Sequence, residues 1–147
     1  RGAGGTLEAS TIRNTTAWGV GVFGGGAALT TSGVTSSGNV SGAHSGRGFY
    51  AGAGATLVTT ADCKASGNDF AGFQIDRDAT GTVNGDADNT GRDIFIDAGN
   101  GSGNAVNRVA SGTYEMGFAD LAALMEFVGN NPTAPAKPVA VMVVCSL

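Results

Sequence analysis

Val34-Thr35-Ser36-Ser37-Gly38-Asn39 and Cys63-Lys64-Ala65-Ser66-Gly67-Asn68 are near copies of one another, 29 residues apart. Each follows an apolar position at a short, similar step. Leu29 of Ala28-Leu29 stands five residues before Val34, and Leu57 of Thr56-Leu57 stands six before Cys63. Thr6-Leu7, with Ile12 five residues on, reads as an earlier copy. A second register runs beside the first: Gly19-Val20-Gly21-Val22, Gly48-Phe49-Tyr50-Ala51, Gly72-Phe73-Gln74-Ile75 and Asp93-Ile94-Phe95-Ile96. In each, a small or polar residue precedes two alternating inward positions. The first inward residues lie 29, 24 and 21 residues apart. Self-similarity on this scale marks a stacked repeat, and the uneven step indicates coils whose loops differ in length. The extra residues of the longest step fall in Val40–Arg47, which reads as an inserted loop.

Each coil of such a stack supplies short strands whose alternate side chains point inward, and the next coil hydrogen-bonds against it at about 4.8 Å. One coil cannot bury its own core, whereas a stack can. Equivalent positions then form ladders: Leu7, Leu29 and Leu57 inside, Asn39 and Asn68 at a turn, where Asn side chains satisfy backbone groups that a tight corner leaves unpaired. Composition agrees. Glycine is abundant, at 26 residues, and charged residues make up only 14%. Gly, Ser, Thr, Asn and Asp between short apolar runs suit a fold with many tight turns.

This repeat grammar resembles the right-handed parallel β-helix of pectate-lyase-like proteins, a group that includes phage tailspikes and polysaccharide-active enzymes. The resemblance covers residues 5–105 and carries no catalytic signature. It implies an all-β fold of about four to five irregular coils. An antiparallel sandwich with turns at similar spacing is the competing reading. The expected organisation is coils over 1–112, a capping helix region over 113–131, and a Pro-rich spacer with a terminal strand over 132–147.

Beyond Gly117 the pattern changes. Phe118, Leu121, Leu124, Met125 and Val128 recur at helical spacing, and Gly129-Asn130-Asn131-Pro132 would stop that helix. The helix would cover the last coil. Pro132, Pro135 and Pro138 make an extended spacer. The apolar run from Val139 through Val141 and Val143 to Cys145 reads as a strand covered on both faces. It either packs on its own domain or pairs with another copy.

A net charge of −4 with eight Lys and Arg offers no surface for a row of phosphates, so nucleic acid is not an expected partner. No apolar run is long enough to span a bilayer, and no secretory signal is visible. The chain opens at Arg1, as a processed or partial product would. Cys63 and Cys145 read either as a pair or as two buried thiols.

Candidate sites are few. Asp86, Asp88, Thr90 and Asp97 partly follow the spacing of a calcium loop. Asp93 falls where that loop carries an aliphatic residue, and the duller reading is an acidic turn. Asp62, Asp69, Asp76 and Asp93 could supply two carboxylates for acid and base chemistry on a glycan, provided two of them share a face. Solvated turns carry Asp for simpler reasons. Trp18 and Tyr50 flank strands, where an exposed ring offers a platform for a sugar, or fills a corner. His44, the single histidine, lies in the Gly/Ser insertion without partners for a metal or a triad. The glycine clusters Gly24-Gly25-Gly26 and Gly52-Ala53-Gly54 lack the residues of a phosphate loop.

The resemblance implies a non-catalytic structural or receptor-binding component of an extracellular or virion assembly, with a tail fibre or tailspike as the specific expectation. A homo-oligomer, as a trimer, and a glycan or cell-surface receptor as ligand go with it. A polysaccharide lyase or hydrolase and a cell-surface adhesin passenger are the alternatives.

Overall fold

The computed structural model of the chain describes residues 2–40, 46–76, 79–99, 114–118 and 140–143. Among them the protein is a parallel β-solenoid of about four coils, each with three strands. Coil 1 holds β1 (Gly4–Glu8), β2 (Thr11–Arg13) and β3 (Trp18–Phe23). Coil 2 holds β4 (Ala28–Ser32), β5 (Thr35–Ser37) and β6 (Arg47–Gly52). Coil 3 holds β7 (Thr56–Thr59), β8 (Lys64–Ser66) and β9 (Ala71–Ile75). Coil 4 holds β10 (Thr80–Thr82), β11 (Asp86–Asp88) and β12 (Arg92–Gly99). Two further strands, β13 (Tyr114–Phe118) and β14 (Ala140–Val143), follow.

The first strands of the coils form sheet A, in the order β1-β4-β7-β10, and the second strands form sheet B, β2-β5-β8-β11. Sheet C runs β3-β6-β9-β12-β13-β14. Every pairing among these strands is parallel, which replaces the sandwich alternative with the solenoid.

The core follows the second register read from the sequence. Val20 pairs with Phe49, Phe49 with Phe73, and Phe73 with Ile94. Phe49, Phe73 and Ile94 are fully buried, and the two phenyl rings stack with centroids 4.8 Å apart. In the first register Leu29 pairs with Leu57 as expected. Leu7 does not join them: it pairs with Thr31, and Gly5 occupies the leucine column. Ile12 likewise pairs with Ser36 rather than aligning with Val34. The error is two residues in both cases. Because side chains alternate with a period of two, a slip of two keeps every residue on its correct side.

The corner between sheets B and C is built around asparagine. Asn39 Nδ2 donates to Asn68 Oδ1 at 2.8 Å, and Asn68 Nδ2 donates to Asn89 Oδ1 at 2.7 Å. The same two oxygens also accept the backbone N–H of Asn39 and of Asn68, at 3.2 and 3.1 Å. Asn39 and Asn68 are fully buried. The residue before each lies in the left-handed region, Gly38 at φ 59° and Gly67 at φ 60°, which turns the chain into the corner without a Cβ penalty. Asn14, at φ 56°, fills that role before Thr15 in coil 1.

The small residue that opens each copy of the second register makes room for this ladder. A Cβ on Gly72 would lie 2.3 Å from Asn89 Nδ2 and 2.6 Å from Asp93 O, and one on Gly48 would lie 2.5 Å from Gly72 O. In coil 4 the position carries Asp93 instead. Its Oδ1 accepts from Asn89 N at 2.8 Å and from Asn89 Nδ2 at 3.3 Å, taking the place of a next asparagine.

The C-terminal expectations meet the structure only in part. Gly117 and Phe118 end β13, paired with β12, so the strand claims the first residues of the helical pattern. The remainder of the expected helix, residues 119–131, lies outside the described residues, as does the spacer. β14 falls within the expected apolar strand and pairs with β13 of the same chain, placing Val141 beside Met116 and Val143 beside Phe118. Val139 and Cys145 lie outside the described residues. Arg47, placed in the inserted loop by sequence, opens β6. Cys63 is a free, fully buried thiol 3.4 Å from Thr31 Oγ1.

Candidate functional site

The outer face of sheet C gathers most of the aromatic side chains among the described residues. With Val20 and Val22, Phe49 and Ala51, and Phe73 and Ile75 inward, the intervening positions of β3, β6 and β9 face out. The register sets Gly21, Tyr50, Gln74 and Phe95 in one outward column. Trp18 pairs with Arg47 in the next.

Trp18, Phe23 and Tyr50 form one cluster. Ring centroids are 5.7 Å apart for Trp18 and Tyr50, with planes at 25°, and 5.0 Å apart for both Trp18–Phe23 and Phe23–Tyr50. Two glycines let the rings lie across the sheet. A Cβ on Gly21 would sit 2.8 Å from the Phe23 ring, and one on Gly52 would sit 2.5 Å from Tyr50 Oη. Trp18 is 40% exposed and Phe23 45%, large values for side chains that burial would stabilise by about 2 kcal/mol each.

Polar groups border the cluster. Tyr50 Oη donates to Asp76 Oδ2 at 2.5 Å. The Arg47 guanidinium lies 5.2 Å from the Tyr50 centroid and 4.5 Å from that of Phe70, and its Nε donates to Gln74 Oε1. Arg92 continues the alternation, 5.0 Å from Phe70 and 4.8 Å from Phe95. Burial pushes the Arg47 guanidinium below its ordinary pKa, and the neighbouring Tyr50 and Asp76 partly offset that. The result is a rib of alternating cations and rings across coils 2 to 4, each contact of the kind that contributes about 0.5–1 kcal/mol or more when desolvated.

Trp18 and Tyr50, the two ring candidates legible in sequence, are therefore brought together. Phe23, Phe70, Phe95, Arg47 and Arg92 were missed. For Tyr50 and Phe95 the signal was the position between the two inward residues of the second register.

The aspartates are dispersed. Asp62, Asp69 and Asp76 follow three successive corners of coil 3: between β7 and β8, between β8 and β9, and after β9. Asp62 accepts from Thr60 Oγ1 and from the Gly33 amide, which hold its carboxyl below the usual carboxylate range. Asp69 is exposed, Asp76 accepts from Tyr50, and Asp93 is buried as the ladder's last acceptor. Asp69 and Asp93 thus share the corner between sheets B and C in successive coils, with Asp69 exposed and Asp93 buried, while Asp62 and Asp76 lie at the other two corners. Asp86 and Asp88 lie on β11, both exposed, on either side of inward Ala87, and Asp97 belongs to β12 of a different sheet. The segment is thus two strands and a corner, where sequence suggested one loop. Among the described residues no group of three or more His, Cys, Asp or Glu side chains is placed to hold a metal ion. No described helix is long and apolar enough to cross a membrane.

No family model matches the chain, and no curated protein and no solved structure matches it significantly.

Proposed function

We propose that the protein is a non-catalytic, glycan-binding structural component of an extracellular assembly, with the outer face of sheet C as its binding surface. The observation that carries this reading is the cluster of exposed Trp18 and Phe23 with half-buried Tyr50, laid over two glycines. Such rings stack on the C–H faces of sugars, while neighbouring polar groups orient hydroxyls. Tyr50 Oη, Asp76 and Arg47 are the polar groups nearest the cluster. The resemblance of the repeat to β-helical tailspikes makes a phage tail fibre or tailspike component the specific form of the proposal, with a cell-surface polysaccharide as receptor and a homo-oligomer as the working state. That part is fold analogy, and it weighs less than the surface itself.

The chain has a single tryptophan, so Trp18 is its own reporter. Titration with purified capsular and O-antigen polysaccharides should change its emission, and Trp18→Ala and Phe23→Ala should each weaken binding at least tenfold in calorimetry. Absence of binding across the panel, or undiminished binding by both variants, would sink the proposal. Release of new reducing ends or unsaturated products by the unmodified chain would replace the non-catalytic reading with the lyase or hydrolase one.

A further inference from the structure

The ring cluster on sheet C ends in a carboxylate. Phe23 pairs with Gly52, and Asp76 N donates to Ala51 O at 2.9 Å, so Phe23, Gly52 and Asp76 succeed one another in coils 1, 2 and 3. Two coil steps separate Phe23 from Asp76, roughly 10 Å along the axis. Gly52 leaves the space between them to the Tyr50 side chain: a Cβ on Gly52 would lie 2.5 Å from Tyr50 Oη. Trp18 flanks both rings, with centroids 5.0 Å from Phe23 and 5.7 Å from Tyr50. Tyr50 and Asp76 are half-buried and keep a surface toward solvent.

The hydrogen-bond sense of this edge follows from one contact. An ionised carboxylate only accepts, so the Tyr50 hydroxyl is the donor in its 2.5 Å bond to Asp76 Oδ2. With its proton committed there, Tyr50 Oη offers a ligand lone pairs alone. Asp76, whose two oxygens have about four lone-pair sites, likewise offers only acceptors. A neutral sugar meets such an edge with hydroxyls that donate. A uronic acid brings acceptor oxygens and a second negative charge, and like charges at close range repel. Arg47 does not reverse the sign. It starts β6, at the opposite end of the strand from Gly52, with its guanidinium over the Tyr50 and Phe70 rings and its Nε donating to Gln74 Oε1. Its charge and that of nearby Asp76 offset one another. The chain as a whole carries −4, which opposes an acidic polymer at longer range.

We propose that the Trp18, Phe23 and Tyr50 surface takes neutral hexoses and discriminates against acidic sugars. The hexose lies with a C–H face on the rings, and two neighbouring hydroxyls donate to Asp76 and to Tyr50 Oη. The proposal rests on sheet C being the glycan-binding face, and it makes Asp76 the specificity-determining residue of that face. Selectivity here comes from what the edge repels as well as from what it holds.

The test is calorimetric titration of the full chain with galactan, mannan and glucan, each beside its counterpart carrying a carboxylate at the exocyclic carbon: polygalacturonate, polymannuronate and polyglucuronate. At least one neutral polymer should bind at least tenfold more tightly than its acidic counterpart, about the worth of one hydrogen bond to a charged group. Added salt should narrow that gap by screening the acidic polymer while leaving neutral binding within about twofold. Asp76→Asn, which keeps the size and loses the charge, should weaken neutral binding about tenfold and bring the two classes within roughly threefold of each other. Circular dichroism checks that the variant is folded, and the comparison on the unmodified chain decides the matter where it is not. Equal or tighter binding of the acidic polymers would overturn the proposal, as would a folded Asp76→Asn that keeps the full gap, or no binding of any of these polymers. The glycan-binding face itself falls on a separate result, undiminished binding by Trp18→Ala and Phe23→Ala of whatever polysaccharide the chain holds.

Discussion

Replacing Asn68 by alanine should cost several times more stability than replacing the Thr15 that begins the same ladder. The Asn68 side chain is fully buried and sits in the middle of the ladder. Its Oδ1 accepts the Asn39 backbone N–H at 3.2 Å; with alanine that N–H is left in the interior without an acceptor, a cost of about 1–3 kcal/mol. Asn39 Nδ2 suffers less, because it also donates to Ser36 Oγ and Arg47 O, at 3.0 and 3.2 Å. Two donations by Asn68 Nδ2 vanish, to Asn89 Oδ1 at 2.7 Å and Ser36 O at 3.2 Å, each worth about 1 kcal/mol net. The expected loss is about 3–5 kcal/mol. Thr15→Ala is the internal comparison. It removes one donation to Asn39 Oδ1, which keeps the Thr15 backbone N–H at 3.1 Å, so the loss should be about 1 kcal/mol or less. Urea unfolding followed by Trp18 fluorescence and circular dichroism measures both. Asn68→Asp adds a chemical check: its carboxylate would keep the acceptor for Asn39 but face Asn89 Oδ1 with an oxygen, and acid, by restoring an O–H donor, should recover part of the loss. A cost below about 1 kcal/mol for Asn68→Ala, or one equal to that of Thr15→Ala, would refute the ladder as the corner's main support.

The end of the ladder should distinguish acceptor from charge: Asp93→Asn keeps an oxygen for Asn89 N and should cost under about 1 kcal/mol, while Asp93→Ala should cost about 1–3, both by urea unfolding. Gly72→Ala, whose new carbon would meet Asn89 Nδ2 at 2.3 Å and Asp93 O at 2.6 Å, should lose about 1–3 kcal/mol or more from overpacking; a neutral result would mean the corner can open. Asp62 has its pKa lowered by Thr60 and Gly33, so its contribution is present above the ordinary carboxylate pKa and disappears as pH falls through the folded value. Thr60→Val should move the Asp62 midpoint upward in a carboxyl NMR titration, and an unmoved midpoint would dismiss that hydrogen bond as the cause.

The inward columns were legible because apolar identity, period and glycine punctuation all survive in one sequence. Val20, Phe49, Phe73 and Ile94 could be aligned without knowing where the coils turn. Leu7 could not be. Its true partners are Thr31 and, through it, Thr59, both buried hydroxyls that look like surface residues in a list of letters. The polar interior thus concealed the register of the first coil. Whether the aspartates share a face could not be read from their spacing. Asp62, Asp69 and Asp76 are spaced by sevens, and a coil of roughly two dozen residues with three sides turns a corner about every seven to eight. Even spacing along the chain therefore distributed them around the coil.

The ring cluster was partly hidden because its contacts cross coils. Trp18 and Tyr50 are 32 residues apart and meet only because Trp18 pairs with Arg47. The glycines that a sequence reader counts as turns have two other uses. Gly48 and Gly72 face the asparagines inside, while Gly21 and Gly52 lie beneath rings outside. The two sets need not constrain each other. The buried asparagines hold the corner, so the outward positions of β3 and β6 can carry large exposed rings although their own packing contributes little to stability. Trp18→Ala and Phe23→Ala should consequently leave the urea midpoint nearly unchanged while weakening binding at least tenfold. Gly72→Ala should reverse that pattern, lowering the midpoint first. Loss of both properties together in Trp18→Ala would mean that the rings hold the fold and that the surface has no separate function.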